Sequence, residues 1–277
     1  MRPLPPPAPQ FFVAAAQPCP YREGYVERKL FTTIHGRSDS HLNDVLSHQG
    51  FRRSRNVLYR PSCPNCRACL STRIHASDFS ASRSQRRILN RNRRLKARVS
   101  RPQASDELYE LFCRYLESRH PNGGMTDMDS LDFAGMMEDA PSHTRMITYF
   151  EMSEGDRERR PAAACLTDIF SDGLSMVYSF FDPDIPSRSL GTYMILDHIL
   201  MARTGGRPYV YLGYWVPGSP KMDYKCRFSG LEIFYRNRWQ RLEMLSEIDT
   251  GPPPGPGEPL TRQAASILVP EIVKGKW

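Results

Sequence analysis

Apolar positions in this chain change their period, and each change marks an element. From Arg83 to Arg101, Ile88, Leu95 and Val99 stand seven and four residues apart, the spacing of one helical face. Nine basic residues and no acidic one share that stretch, so the pattern predicts a basic amphipathic helix over 83–101, closed by Pro102. Ser105, followed by Asp106 and Glu107, reads as the N-cap and acidic first turn of a second helix. Its buried stripe is Leu108, Leu111, Phe112, Tyr115 and Leu116. From Thr144 onward the period shortens to that of strands: Arg145 to Met152, Ala162 to Phe170, and Leu174 to Phe181. The Ser171-Asp172-Gly173 turn joins the last two as a β-hairpin. An apolar helix follows from about Leu190 to Thr204, ended by Gly205-Gly206. Next comes a strand over 209–215, where six of the eight residues before Pro217 are aromatic or β-branched, and another near Glu232 to Arg236. The order strand, turn, helix, strand predicts a mixed α/β domain.

Prolines and glycines set the outer limits. Five prolines in residues 1–10 and the Gly251-Pro-Pro-Pro-Gly-Pro-Gly257 run forbid regular elements there, so disordered tails are expected. The layout is then a Pro-rich leader over 1–15, an N-terminal region over 16–102, an α/β domain over 103–245 and a Pro/Gly-rich tail over 246–277. No apolar run reaches the roughly 20 residues of a membrane span, and no cationic segment precedes an apolar stretch and cleavage site. A cytoplasmic chain is expected, with its seven cysteines as reduced thiols or metal ligands.

Charge separates the halves. Residues 19 to 101 hold 19 Lys and Arg against 5 Asp and Glu, whereas residues 102 to 277 hold 18 against 25. A cationic N-terminal third suits a polyanion, most plainly nucleic acid, and a solvated basic face is the bland alternative. Cys63, Cys66 and Cys69, spaced by three, with Cys19 as a distant fourth or His35 or His75 nearby, form a candidate set for a soft metal. Three thiols that bind nothing are equally compatible with the spacing. Cys113, Cys165 and Cys226 stand alone in apolar or strand settings and read as small core residues. Ser187-Arg-Ser-Leu-Gly191 lies between a strand and a helix, where backbone N–H groups can hold a phosphate. The absence of P-loop and GxGxxG signatures disfavours nucleoside triphosphate and dinucleotide chemistry.

Several motifs in order then carry a resemblance: Cys19-Pro-Tyr21, Phe51-Arg-Arg-Ser54, Tyr59-Arg-Pro-Ser-Cys-Pro-Asn-Cys-Arg-Ala-Cys69, Ser84-Gln-Arg-Arg87 with Arg91-Asn92, Phe181-Asp-Pro-Asp184, Ser189-Leu-Gly191, and Tyr211-Leu-Gly-Tyr-Trp215 with Met222-Asp-Tyr-Lys225 and Phe228. Over roughly residues 11 to 240 the chain resembles the bacterial aminoacyl-tRNA–protein transferases of the arginyltransferase type. It departs from the commoner Cys-Pro-Tyr-Leu-Pro-Gly pattern, having Arg22-Glu23-Gly24 after Tyr21. The resemblance implies an acetyltransferase-like (GNAT) fold for the C-terminal half. It also implies transfer of an aminoacyl group from charged tRNA to a protein α-amine, marking that protein for degradation. The bacterial branch uses leucyl-tRNA and acts on N-terminal Asp or Glu, and the eukaryotic branch transfers arginine. A non-enzymatic RNA-binding protein and a small-molecule acetyltransferase are the readings from other classes.

An aminoacyl ester is already activated, so positioning and removal of one proton suffice and no cofactor is required. Under that implied reaction Asp168, Tyr178 and Asp182 are candidates for the proton and for orienting the amine. Arg52, Arg53, Arg55, Lys221, Lys225 and Arg227 are candidates for holding the acidic N-terminal residue. Arg86, Arg87, Arg91 and Arg93 suit the tRNA backbone, and Ser189, Leu190 and Gly191 suit its 3′ end. The resemblance associates an iron–sulfur cluster or zinc with Cys19, Cys63, Cys66 and Cys69.

Overall fold

The computed structural model describes residues 9–34, 39–64, 66–121, 123–152, 158–245, 247–251 and 267. Most of the two expected tails, and His35, fall outside these. The chain forms two compact units, Met1–Arg73 with Leu212–Trp277, and Ile74–Tyr211. Contacts thus interleave the chain, where the sequence reading divided it linearly at residue 102.

In the first unit, an antiparallel sheet runs in the order Phe12–Val13, Lys29–Thr33, Val57–Pro61, Arg52–Ser54. Phe12 and Val13, counted in the leader, instead pair with Phe31 and Leu30, because backbone donors beside an open edge are satisfied by pairing. Helix α1, Asp39–His48, sets Leu42 and Leu46 against Leu30, Ile34, Phe51 and Leu58, and Ile267 from the tail packs into the same cluster. A second piece of this unit is the hairpin Leu231–Tyr235 and Arg238–Arg241. Its turn residues Arg236 and Asn237 both have positive φ, the conformation that a two-residue hairpin matched to strand twist demands. Arg73 closes over it, 2.7 Å from Glu232 and stacked 4.3 Å above the Trp239 ring.

The second unit is built on four antiparallel strands in the order Leu95–Ser100, Thr144–Met152, Glu158–Ile169, Gly173–Phe181. Residues Tyr209 to Tyr211 of the strand Tyr209–Trp215 run parallel to the last of these, from Gly173 to Ser175. Both sheet faces are covered, so apolar residues occur at successive positions rather than alternate ones. Met146, Ala164, Leu166 and Phe180 face helices α3, Asp106–Arg119, and α4, Ser130–Glu138. Helix α5, Leu190–Thr204, packs on the other face, where His198 bonds Thr167 at 2.8 Å and Tyr193 meets Tyr149.

The helix expected over 83–101 is corrected by two elements, helix α2 over Arg83–Arg91 and the edge strand Leu95–Ser100. Ser82 and Gln85 form a capping box at the start of α2. Asn92 ends it, its side-chain amide donating to the Ile88 carbonyl at 3.0 Å. Beyond it, Leu95 to Ser100 take backbone bonds from Thr144–Met152, in the register Leu95↔Glu151 to Ser100↔Met146. Val99, placed inward by the helical reading, is 56% exposed. Lys96 and Arg98 on this edge protect it from pairing with another strand. Among the described residues, no helix is long and apolar enough to cross a membrane.

Candidate functional site

The first unit gathers cations around a glycine. Gly213 has φ +85°, and a Cβ there would lie 3.4–3.6 Å from the Arg52 guanidinium. Glycine inside a strand marks such a close approach. On the next residue, the Tyr214 carbonyl accepts the Lys225 ammonium. The Tyr214 hydroxyl in turn bonds the carbonyls of Gly50 and Tyr59, each at 3.0 Å. Pro217 and Gly218 turn the chain after the strand, and the short 3-10 helix Asp223–Arg227 follows. Phe228, 3% exposed, anchors that helix and tucks Lys225 inward between exposed Tyr224 and Cys226.

Arg52 and Lys225 are 7% and 5% exposed, so two like charges share a desolvated place. Burial, and then the Arg52 charge, push the Lys225 ammonium down to about 7, offset in part by Cys226. An arriving carboxylate reverses both effects, because it supplies the opposite charge and takes charge-assisted hydrogen bonds. Of the six cations read from the sequence as carboxylate holders, the structure brings together these two. Arg53 is buried but donates to the Arg55 carbonyl at 2.7 Å, stabilising a turn in which Arg55 has positive φ. Arg55, Lys221 and Arg227 are exposed.

A cavity of about 730 Å³ in the same unit is lined by Tyr59, Tyr214 and all four N-terminal cysteines. Cys66 sulfur accepts from Arg22 at 3.2 Å and from the Ala68 amide at 3.5 Å, and Cys63 donates to the Arg28 carbonyl at 3.8 Å. Burial pushes the Cys69 thiol up to about 12 and raises Cys63 as well, which keeps both protonated at neutral pH. No three of these sulfurs lie within 4.8 Å of one another. Zinc with four Zn–S bonds of about 2.3 Å needs closer thiolates, so the arrangement does not fit a closed zinc site.

The second unit holds a helix start. Ser189, with φ 51° and ψ 48°, precedes α5 in the left-handed region and makes no side-chain cap. The first intrahelical bond runs from the Tyr193 amide to the Ser189 carbonyl, so the amides of Leu190, Gly191 and Thr192 have no acceptor within the helix. A Cβ on Gly191 would lie 3.2 Å from the Phe181 ring. Helix α2 fastens this loop: Arg91 donates to the Ser187 carbonyl and Asn92 to the Arg188 carbonyl at 2.8 Å. Arg188 reaches Glu151 at 2.7 Å. Arg91 therefore positions the loop, while Arg86, Arg87 and Arg93 are exposed beside it. Asn92 and Arg188 are not among the site residues read from the sequence, since Asn92 acts through a long-range bond to the Arg188 carbonyl and Arg188 through one to the Glu151 carboxylate.

The three groups considered for the proton, all in the second unit, each have partners within it. Asp168 is 0% exposed and accepts the Thr144 hydroxyl at 2.6 Å, with His143 at 3.8 Å, so it cannot meet a substrate amine without opening the strand ends. Asp182 takes Arg114 at 3.2 Å and the Asp184 amide at 3.0 Å, capping its turn. Tyr178 packs among Phe112 and Phe180, and burial raises its hydroxyl well above the usual tyrosine range.

Two family models match the chain: "Arginine-tRNA-protein transferase, N terminus" over residues 17–87, and "Arginine-tRNA-protein transferase, C terminus" over residues 107–235. An aspartate/glutamate leucyltransferase of Ruegeria pomeroyi is 55% identical over 271 residues, covering 98% of both chains. Proteins of the same name from Cereibacter sphaeroides and Dinoroseobacter shibae are 53% and 52% identical, each covering 99% of this chain and 98% of theirs. Among solved structures, a crystal structure of FemX aligns at TM-score 0.41 and 8% identity, covering 77% of this chain and 81% of that one.

Proposed function

The chain belongs to the arginine-tRNA-protein transferase family, and from that premise we propose that it transfers leucine from leucyl-tRNA to proteins beginning with Asp or Glu, marking them for degradation in the cytoplasm. The observation that carries the acceptor half is the buried pair of Arg52, against Gly213, and Lys225, on the Tyr214 carbonyl. It offers two charge-assisted contacts to one carboxylate and is shielded from competing water. For the donor, the α5 start and the exposed arginines of α2 offer amide donors for the terminal nucleotide and cations for the phosphates. The strand, hairpin, helix and parallel-strand order of residues 144–211 supports a GNAT-like reading of the second unit.

The reaction forms one amide bond and breaks one ester bond. The acceptor amine, freed of its proton, attacks the leucyl carbonyl, and the tRNA ribose oxygen leaves and takes up a proton. Catalysis here is placement of ester and amine, with no covalent intermediate on the protein.

Peptides beginning with Asp, Glu, Asn or Gln test the acceptor reading. Two charge-assisted bonds of about 1.5 kcal/mol each predict roughly 100-fold higher kcat/KM for Asp and Glu over Asn and Gln at pH 7. The protonated form of Lys225 holds the carboxylate, so this preference is full below about 7 and declines as pH rises through that value. The acceptor amine becomes nucleophilic above about 7.7–8.0, which gives the acidic peptides a narrow optimum between the two. Equal rates for Asp and Asn peptides at every pH contradict the assignment.

A further inference from the structure

The cavity of about 730 Å³ has no role in the reaction as described. Its size lies in the range of sites that enclose extended organic ligands. Arg52 and Lys225 do not line it themselves, but their neighbours do: Tyr214, whose carbonyl takes the Lys225 ammonium, and Tyr59, the registered partner of Arg52 across the sheet. Its walls carry Arg22, Arg28, Lys29, Arg60, Arg67 and Arg236 against two carboxylates, Glu27 and Asp249, and Glu27 is already paired with Lys29 at 2.8 Å. Ser71 also lines it; this residue is 3% exposed and its hydroxyl has no hydrogen-bond partner within the described protein. A buried hydroxyl of that kind is costly unless a ligand satisfies it.

We propose that this cavity receives the second to fourth residues of the acceptor polypeptide as an extended segment and favours acidic side chains among them. The inference rests on the reading of Arg52 and Lys225 as the seat of the N-terminal carboxylate. A residue anchored there leaves its chain to run past Tyr214 and Tyr59, advancing about 3.3 Å per residue. The tyrosine rings offer flat apolar walls to the peptide backbone, and Ser71 offers one donor and an acceptor to a peptide group. The surplus of cations attracts Asp and Glu at these positions and opposes Lys and Arg.

Three series of peptides test this, each beginning with Asp and carrying Glu, Gln or Lys at positions two to four, with leucyl-tRNA as donor at low salt. The expected order of kcat/KM is Glu over Gln over Lys, with about tenfold between the extremes, narrowing at high salt. In a variant carrying Arg67→Gln and Arg236→Gln the gap between extremes falls by at least about threefold. Equal kcat/KM in the three series overturns the inference, as does a gap that the double variant leaves unchanged. Loss of the distinction between Asp and Asn at position one instead overturns the reading on which it rests.

Discussion

Replacing Lys225 with Met lowers kcat/KM for Asp and Glu peptides by about 100-fold and leaves tRNA affinity within about twofold. The loss combines one charge-assisted bond to the acceptor carboxylate with the unfavourable burial of that carboxylate against a single remaining cation. The variant also separates function from folding. Burial and Arg52 depress the ammonium of Lys225 from the model-compound value of 10.5 to about 7, so the unfolded chain binds this proton more tightly than the folded one. By linkage, the charge costs stability in full below about 7, and the cost fades as pH rises toward the unfolded value. A methionine of similar length removes that cost while forfeiting one bond to the Tyr214 carbonyl. The variant therefore melts no lower than the parent at pH 6, by calorimetry, while steady-state kinetics reports the loss. A lower melting temperature together with parallel loss of tRNA binding would place Lys225 in the framework instead.

Substituting Arg86, Arg87 and Arg93 together with Gln weakens tRNA binding by about 100-fold at 0.1 M salt. It also makes the slope of log affinity against log salt shallower by about 2 to 3, one counterion for each phosphate contact removed. All three side chains are exposed, so the fold is unaffected and peptide kinetics at saturating tRNA stay near the parent's. Arg91→Gln behaves differently. It removes the bond to the Ser187 carbonyl that steadies the α5 start, and so lowers kcat with little change of salt slope. Filter binding over a salt series separates the two cases.

Elements with strong local signals were legible in the sequence. The Asp172-Gly173 turn between two apolar runs gave the hairpin, and Gly205-Gly206 placed the end of α5, with Gly206 at φ +66°. Leu95 to Ser100 was not legible as a strand, because Leu95 and Val99 fit a helical spacing as well as an alternating one. Hydrogen bonds from Thr144–Met152, some fifty residues away, decide between them. Within the candidate site, the run from Tyr209 to Phe228 contains Gly213 and Lys225, yet on the sequence six cations stood on equal terms. Burial and partners separated them: Arg52 and Arg53 are equally buried but Arg53 is spent on the Arg55 carbonyl while Arg52 lies against Gly213, and a 3-10 turn buries Lys225 between two exposed residues with no periodic signal. Gly213 carried a signal that could have paired Arg52 with this strand, since a glycine within an aromatic strand announces a close neighbour. The carboxylates Asp168 and Asp182 illustrate the reverse case, in which residue type suggests chemistry and the partners Thr144 and Arg114 account for the side chains.

The central claim is leucyl transfer to an acidic N-terminus, and one paired assay tests it most directly. Purified protein is given leucyl-tRNA or arginyl-tRNA, each labelled in the amino acid, with a peptide beginning with Asp and its counterpart beginning with Ala. The expected result is label from leucyl-tRNA on the Asp peptide alone. Arginine transferred to the Asp peptide as fast as leucine, or no transfer from fully charged leucyl-tRNA, would contradict it.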